Sequence, residues 1–438
     1  MFNPSRRQLL ALGGAAASSS LLPFVARAQD AQRIHVGTVF PAATGLSTVR
    51  TSINDYPGTG ARNGVILAES VIGQRAAAAG HTFDVLLGSS PSTESAIRTT
   101  ERLIEAQGAV AIIGGVGAGQ AEVISDICEA ARVPFFNVGS SNDALRGDSC
   151  RRYTFHIEPS AAMFLDAIAT WGASQGYRNW FVLYENNPEG ERMMLRAAAA
   201  IEQHGAGGTV AAAAGVDIEQ PVYINEANAI GRSNADVLLL LVNPIDQIAF
   251  LNQIETYGHG DVPALTFPDV ISQTRDYIAS ARLYAQINNP RYRFSAWDTT
   301  KSSNDAASFN DAYVARWSEP ADPTAWAAYH AVKILYETIV AVDSTDPEAI
   351  VDYLESPDTV FDVLKGPETS FRPWDHQLRQ PIEVVRIDQE VTWVRAEVQT
   401  RIAIAQVETE LPAATAGDDV IARLDTFGDG PGGAICGP

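Results

Sequence analysis

The chain has 438 residues, of which 46% are hydrophobic, so it is long enough for two or three globular domains. Its 31 basic and 52 acidic residues give a net charge of −21, which argues against nucleic acid or anionic lipid as a partner. The seven histidines lack metal-binding spacing, and no G-x-S-x-G motif occurs. No set of catalytic side chains is found in the sequence either. We therefore predict no enzyme activity, no metal and no cofactor.

The N-terminus has the pattern of a bacterial export signal. Residues 5–10, SRRQLL, form a twin-arginine pattern, a moderately apolar run continues to Val25, and residues 26–28, ARA, offer a signal-peptidase site. A membrane anchor is the alternative, but the run is short and contains Pro23. We therefore predict that residues 1–28 are a twin-arginine signal peptide and that the mature protein is periplasmic.

The first half of the mature chain alternates between strand and helix patterns. Strands are predicted at residues 33–40, 82–87, 109–113 and 133–138, and helices at residues 60–75, 92–107 and 120–132. Such alternation predicts a doubly wound parallel sheet, in which ligands bind beyond the carboxyl ends of the strands.

A second alternating series, of similar length and order, begins near residue 153. Its helices are predicted at residues 161–175, 189–204 and 246–257, and its strands at 180–184, 209–214, 235–242 and 262–267. The predicted fold class is therefore α/β, with two doubly wound parallel-sheet lobes rather than one long sheet.

The last third of the chain is less regular. Helices are predicted at residues 308–317, 324–342 and 347–354, and strands at residues 383–387 and 391–398. The segment from about residue 408 is rich in glycine, aspartate and proline, which predicts a tail that lies on the surface.

The loop after the third predicted strand is rich in glycine. Its G-x-G-x-G spacing, from Gly115 to Gly119, differs from the dinucleotide pattern G-x-G-x-x-G, and the loop follows the third strand rather than the first. A nucleotide site is therefore disfavoured. The main-chain amides of Ala118, Gly119 and Gln120 lie where a helix is predicted to begin, which suits a ligand carboxylate or another polar oxygen.

Two further polar loops follow predicted strands. Ser140 and Ser141 follow the fourth strand, where they either offer a hydroxyl to a ligand or cap a short helix. Asp269 follows a buried strand of the second series. It is either a helix cap, a counter-charge for a ligand ammonium or a metal ligand.

If the chain is exported, its three cysteines are in an oxidising compartment, where disulfides can form. Cys128 lies on the apolar side of a predicted helix, which indicates a buried free thiol. Cys150 and Cys436 both flank polar loop segments. We predict that these two form a disulfide that ties the C-terminal tail to the main body.

Several local sequences occur in an order that resembles a known family. They are residues 60–65 (GARNGV), 111–114 (AIIG) with the loop after them, 131–136 (ARVPFF), 139–141 (GSS) and 155–160 (FHIEPS). Over most of residues 33–390 the chain resembles the type I periplasmic ligand-binding proteins of ABC transporters, in the leucine/isoleucine/valine-binding branch. The resemblance implies a monomer that closes two hinged lobes on a small molecule and then docks on a permease in the inner membrane.

The resemblance also implies roles for the loops of the predicted cleft. In amino-acid-binding members the loop after the third strand supplies a serine to the ligand carboxylate, and Ala118 stands there in this chain. Ser141 corresponds to a hydroxyl residue of the next loop, and Asp269 to the acid that holds the ligand amine. Tyr184 and Tyr56 correspond to aromatic residues that wall the cleft. The missing hydroxyl at Ala118 argues against a standard aliphatic amino acid as the ligand.

The resemblance further implies how the chain is divided between the lobes. The N-terminal lobe is expected to comprise residues 32–152 and about 288–369, the C-terminal lobe residues 153–287 and about 370–400, and the tail residues 408–438. The lobes are expected to be linked by crossings near Arg152, Ile287 and Ser370.

A narrower resemblance concerns the biological context. Three features resemble a subgroup of these proteins that is associated with PQQ-dependent alcohol dehydrogenase systems. They are residues 370–381 (SFRPWDHQLRQP), Cys150, and residues 424–428 (LDTFG) before Cys436. We predict a periplasmic substrate-binding component of an ABC transporter that captures a small polar or carboxylate-bearing solute. The alternative is a sensory or accessory binding protein for a periplasmic oxidoreductase system. An amino acid, an alcohol-derived acid, PQQ and a metal ion all stay open as ligands.

Overall fold

The computed structural model describes residues 33–41, 55–278, 292–301, 303–366, 368–395, 398–431 and 436. The predicted signal peptide and the predicted crossing near Ile287 lie outside these residues. Over the part of the chain that is described, no helix combines the length and the apolar character needed to cross a membrane.

The first lobe is built on a five-stranded parallel sheet with the strand order β2-β1-β3-β4-β5. Its strands are β1 (Arg33–Phe40), β2 (Thr82–Ser89), β3 (Ala111–Gly114), β4 (Phe135–Asn137) and β5 (Thr154–His156), and its crossover helices are α1 (Asp55–Ala78), α2 (Thr93–Glu105) and α3 (Gln120–Ala131). The strand order reverses between β1 and β3, which is where open parallel sheets place a ligand crevice.

The second lobe is built on a four-stranded parallel sheet with the order β7-β6-β8-β9. Its strands are β6 (Asn179–Glu185), β7 (Thr209–Val216), β8 (Val237–Leu241) and β9 (Ala264–Thr266), and its helices are α4 (Ala161–Ser174), α5 (Pro188–His204), α6 (Ile224–Ser233) and α7 (Pro244–Thr256). The predicted fold class, two parallel-sheet α/β lobes, is therefore confirmed.

The remaining elements complete both lobes. The strands β10 (Tyr292–Ser295), β11 (Ile382–Arg395) and β12 (Val398–Leu411) form an antiparallel sheet, and the helices are α8 (Asn304–Trp317), α9 (Pro323–Val342), α10 (Pro347–Glu355) and α11 (Val420–Leu424). The predicted strands 383–387 and 391–398 are wrong as separate elements, because β11 joins residues 383–387 to residues 391–395 and Val398 begins β12. Residues 408–411, predicted to begin the tail, complete β12 instead.

Polar side chains join the segments that pass between the lobes. The first sheet continues through β5 to His156, and His156 pairs with Gln377 of the third passing segment. Arg146 donates from Nε to Gln377 Oε1 at 2.7 Å, and Lys365 donates from Nζ to Gln380 Oε1 at 3.0 Å. All four side chains of these two pairs are buried, and the bond from Arg146 to Gln377 joins residues that are 231 positions apart in sequence.

In the structure Cys150 and Cys436 form a disulfide with a Cα–Cα distance of 5.2 Å, while Cys128 is a buried free thiol. The bond joins the end of the tail to the loop before β5. We expect mass spectrometry of the unreduced protein to show both partners blocked to alkylation. Cys128 should react only after unfolding, because it is inaccessible in the folded chain. An alkylated Cys436 in the unreduced protein would overturn the pairing.

Candidate functional site

The carboxyl ends of the two parallel sheets meet at one pair of side chains. Glu158 follows β5 of the first lobe, and Gln273 lies in the segment after β9 of the second lobe. Gln273 Nε2 donates to Glu158 Oε1 at 3.0 Å. The segments that leave the carboxyl ends of both sheets are therefore in contact, at the place where the predicted cleft would have its floor.

Small residues bring the loops after β3 and β4 together. A Cβ on Gly115, where φ is +86°, would lie 2.4 Å from Asn137 Oδ1, and a Cβ on Gly139 would lie 2.7 Å from the Cα of Val116. The Asn137 side chain accepts from the Ser140 amide at 2.9 Å and donates to the Ser140 carbonyl at 2.7 Å. Glycine at the two contact points and asparagine at the strand end thus fix the position of the serine loop.

The predicted amide donors do not all have the same role. Ala118 and Gly119 are exposed, and within the described chain their amides have no acceptor. The Gln120 amide donates to the Gly117 carbonyl at 3.1 Å, and the buried Gln120 side chain bonds the main-chain oxygen of Ser90 at 2.7 Å. Two of the three amides are therefore free to meet a ligand oxygen, while Gln120 holds the loop in place.

Ser140 and Ser141 lie at the start of the short 3₁₀ helix Asp143–Arg146, but neither caps it. The cap is Asn142, whose side chain accepts from the Ala144 amide at 3.0 Å. The carbonyl of Ser141 accepts from the first amide of α4 at 2.8 Å, and its hydroxyl has no partner among the residues that the structure describes. Ser141 therefore offers a half-buried hydroxyl in a loop that packs, through Gly139, against the loop that carries the two free amides.

Asp269 caps a turn in the second lobe. Its Oδ1 accepts from the amides of Ile271 and Ser272 at 2.9 and 2.7 Å, as the capping alternative predicts. Burial raises the pKa of Asp269, and the hydrogen bonds from Ser272 and the charge of Arg293 partly oppose that rise. Its charge also raises the pKa of Glu158. The role as a ligand contact stays a prediction.

The two predicted wall residues lie at the carboxyl edges of their sheets. Tyr184 is half-buried against the second-lobe core, and its ring is 3.2 Å from the position of a Cβ on Gly215 of β7. Tyr56 lies in the first turn of α1 and is also half-buried. Their roles in a cleft wall stay predictions.

Sequence reasoning missed the charged side chains beneath the cleft. Glu158 is 1% exposed, and burial raises its pKa to about 8. Arg146 donates from Nη2 to the Glu158 carbonyl at 2.7 Å, and Lys365, whose pKa burial lowers to about 8, also acts on Glu158. Glu158 belongs to the FHIEPS segment that resembles the family, but that segment does not indicate the burial of its carboxyl group.

The site offers donors on the first-lobe side and carboxyl groups near the floor. Among the described residues, no three histidine, cysteine, aspartate or glutamate side chains are grouped to hold a metal ion. The free amides and the Ser141 hydroxyl suit a carboxylate or another polar oxygen. Asp269 and Glu158 suit a hydroxyl or amine group of the same solute.

Comparison with known proteins gives a match over most of the chain. Residues 44–391 match the family described as periplasmic binding protein. No curated protein matches the sequence. Among solved structures, an ABC transporter substrate-binding protein from Sphaerobacter thermophilus is 19% identical with a TM-score of 0.69, over 87% of this chain and 98% of that chain.

Two further similar structures contain a ligand. A solute binding protein of an ABC transporter from R. palustris, in complex with 4-hydroxybenzoate, is 14% identical with a TM-score of 0.68, over 86% of this chain and 96% of that chain. The branched-chain amino acid transporter substrate binding protein LivJ from Streptococcus pneumoniae, in complex with isoleucine, is 17% identical with a TM-score of 0.65. The match covers 86% of this chain and 100% of that chain. At sequence identities of 14–19%, the similarity to these structures establishes the fold of the chain.

Proposed function

The chain belongs to the periplasmic binding protein family, and we propose that it captures a small polar or carboxylate-bearing solute between its lobes for an ABC permease of the inner membrane. It is a solute-binding protein rather than an enzyme. One observation carries the proposal: the hydrogen bond between Gln273 and Glu158 joins the segments that follow the two parallel sheets. The strand-end loops of the first lobe also offer donors that have no partner within the described chain.

The unpaired donors favour a ligand with a carboxylate. The amides of Ala118 and Gly119 and the hydroxyl of Ser141 would each bond one oxygen of such a group. Isoleucine and 4-hydroxybenzoate, which occupy two similar structures, both carry a carboxylate. Ala118 in place of a serine still distinguishes this cleft from the one expected for an aliphatic amino acid.

Capture would proceed by closure of the two lobes about the passing segments. Closure excludes water, which strengthens hydrogen bonds and ion pairs to the solute, and it forms a surface that a permease can recognise. We retain residues 32–152 with about 288–369, and 153–287 with about 370–400, as the two moving bodies. The two separate parallel sheets support this division, except that β5 pairs with β4 of the first sheet and β10 pairs with β11 of the other body.

The link to PQQ-dependent alcohol oxidation rests on the resemblance of residues 370–381 and 424–428. The alternative function, a sensory or accessory protein for a periplasmic oxidoreductase, shares this support. Neighbouring genes for a permease and an ATPase would favour transport, and a periplasmic dehydrogenase gene without a permease would favour the accessory role.

A thermal-shift panel is expected to identify the solute class. The purified mature protein would be tested with branched amino acids, short carboxylates, PQQ and lanthanide ions. A ligand present at 100 times its Kd should stabilise the fold by about 2.7 kcal/mol. The absence of a shift from every compound would count heavily against a solute receptor.

Asp269→Ala is expected to weaken binding of the identified solute at least tenfold and to lower stability by about 1 kcal/mol through the lost cap. Asp346→Ala is the matched control, because Asp346 caps α10 by accepting from the Ala349 amide at 3.1 Å and is exposed. The control should lose similar stability and keep the affinity. Isothermal titration of both variants measures the difference, and equal affinities would reject Asp269 as a ligand contact.

A further inference from the structure

Strand β7 has an unpaired outer edge in the part of the chain that the structure describes. It is the terminal strand in the order β7-β6-β8-β9, so β6 pairs with one side of it only. The Val216 carbonyl accepts from the Asn186 amide at 2.7 Å and therefore faces the β6 side. Because alternate residues of a strand turn their main-chain groups to opposite sides, Ala213 and Gly215 present theirs at the outer edge.

The corresponding edge of the first sheet is protected. Strand β2 carries the charged residue Asp84, and the Val85 amide donates to Glu69 Oε1 at 2.7 Å. Strand β7 has the sequence TVAAAAGV, which contains no charged residue, and every second residue from Thr209 to Gly215 is exposed. Proteins usually protect an edge strand with charges or cover it. A long, uncharged and exposed edge therefore indicates that another strand pairs with it.

The two ends of β7 are complementary in shape. The turn before the strand, residues 205–208, has the sequence GAGG, and a Cβ on Gly207 would meet no atom within 4 Å. Just after the strand, Ile218 and Val222 are 58% and 52% exposed. In two antiparallel copies of the strand that face each other at Ala213, residues equally far from Ala213 on its two sides lie opposite one another. Ile218 of each copy then lies opposite the glycine turn of the other.

We propose that two copies of this chain form a dimer by pairing their β7 strands antiparallel about a two-fold axis at Ala213. A two-fold interface places the same strand on both sides, and an uncharged strand brings no like charges opposite each other. The small alanine side chains let the two main chains approach. The resemblance to the family implies a monomer, so the dimer differs from that expectation. The pairing uses none of the candidate site residues, so it goes beyond the proposed solute capture and does not depend on it.

A charge exchange at Ala213 provides the test, measured by sedimentation velocity of the full mature protein. The unchanged protein should sediment as a dimer. Ala213→Asp and Ala213→Lys each place like charges opposite one another across the axis, so each variant alone should raise the Kd of the dimer about tenfold or more. A mixture of the two variants should recover the dimer, because opposite charges then face each other. Recovery would also show that both variants are folded.

Ala199 provides the matched control, because it is exposed on α5 of the same lobe and lies outside β7. Ala199→Asp and Ala199→Lys should leave the dimer unchanged. Ile218→Ala tests a separate contact and should raise the Kd of the dimer about tenfold through lost apolar burial. A monomer at every concentration tested would overturn the proposal. So would a dimer that the Ala213 variants do not weaken, or a mixture of those variants that stays monomeric.

Discussion

Arg372→Met is expected to lower the free energy of unfolding by about 3–5 kcal/mol, the usual effect of removing one partner from a buried charged network. The Arg372 side chain is fully buried. Its Nε donates to Asp425 Oδ1 at 2.9 Å, and its Nη2 donates to the carbonyls of Leu424 and Phe427 at 2.9 and 2.6 Å. Methionine keeps apolar volume but removes every donor, so two buried carbonyls lose this partner.

The matched control is Arg192→Met, because Arg192 forms an exposed ion pair with Glu189 on α5. Such pairs contribute about 0–1 kcal/mol. Urea denaturation of both variants measures the difference. Limited proteolysis adds a local readout, since the tail after residue 412 should become cleavable when Arg372 no longer holds Leu424 and Phe427. A loss below 1 kcal/mol for Arg372→Met would contradict the assignment.

This network explains what residues 370–381 do in the fold. The guanidinium groups of Arg372 and Arg379 lie 5.6 and 5.5 Å from the ring centroid of Trp374. Both arginines also bond Asp425, and Trp374 Nε1 donates to the carbonyl of Asp429 at 3.1 Å. The segment therefore anchors the C-terminal tail to the main body, which is a structural reason for its unusual composition.

Buried strands are the part of this fold that sequence predicts best. The run Val237–Leu241 is apolar throughout because both faces of β8 are buried, and its pattern predicts a strand. Helix α6 is the opposite case. Its sequence INEANAIGRS has few apolar positions, and Ala227 and Ile230 are its buried residues. Tertiary packing stabilises a segment whose local pattern does not predict a helix.

The candidate site also contains both positions that the sequence predicts and positions that it does not. Loop positions such as Ala118 and Ser141 follow from the order of strands and helices, because parallel strands bring their carboxyl ends to one edge. Glu158 does not follow from that order. Its partner Gln273 is 115 residues away, and the raised pKa of its carboxyl group comes from burial. Sequence patterns carry no information on that burial.

Glu158→Gln is expected to remove a pH dependence of stability that the unchanged protein shows between about pH 5 and pH 8. Burial raises the pKa of Glu158 from 4.5 to about 8, against the opposing effects of Gln273, Arg146 and Lys365, and Asp269 raises it further. In this window the folded protein binds a proton that the unfolded chain has released. The contribution of Glu158 to stability therefore falls as the pH rises.

The size of that fall should be about 1–3 kcal/mol, the typical cost of a buried polar atom without a hydrogen bond, because Glu158 Oε2 has no partner among the described residues. Urea denaturation at pH 5 and pH 8 measures it, with Glu189→Gln on the surface of α5 as the matched control. Burial also raises the pKa of Glu383 to about 7, so part of the fall should persist in Glu158→Gln. Identical pH profiles for the unchanged protein and Glu158→Gln would show that Glu158 is ionised in the folded state. The floor of the cleft would then carry a negative charge, and the solute would need a cationic group rather than a neutral donor to meet it.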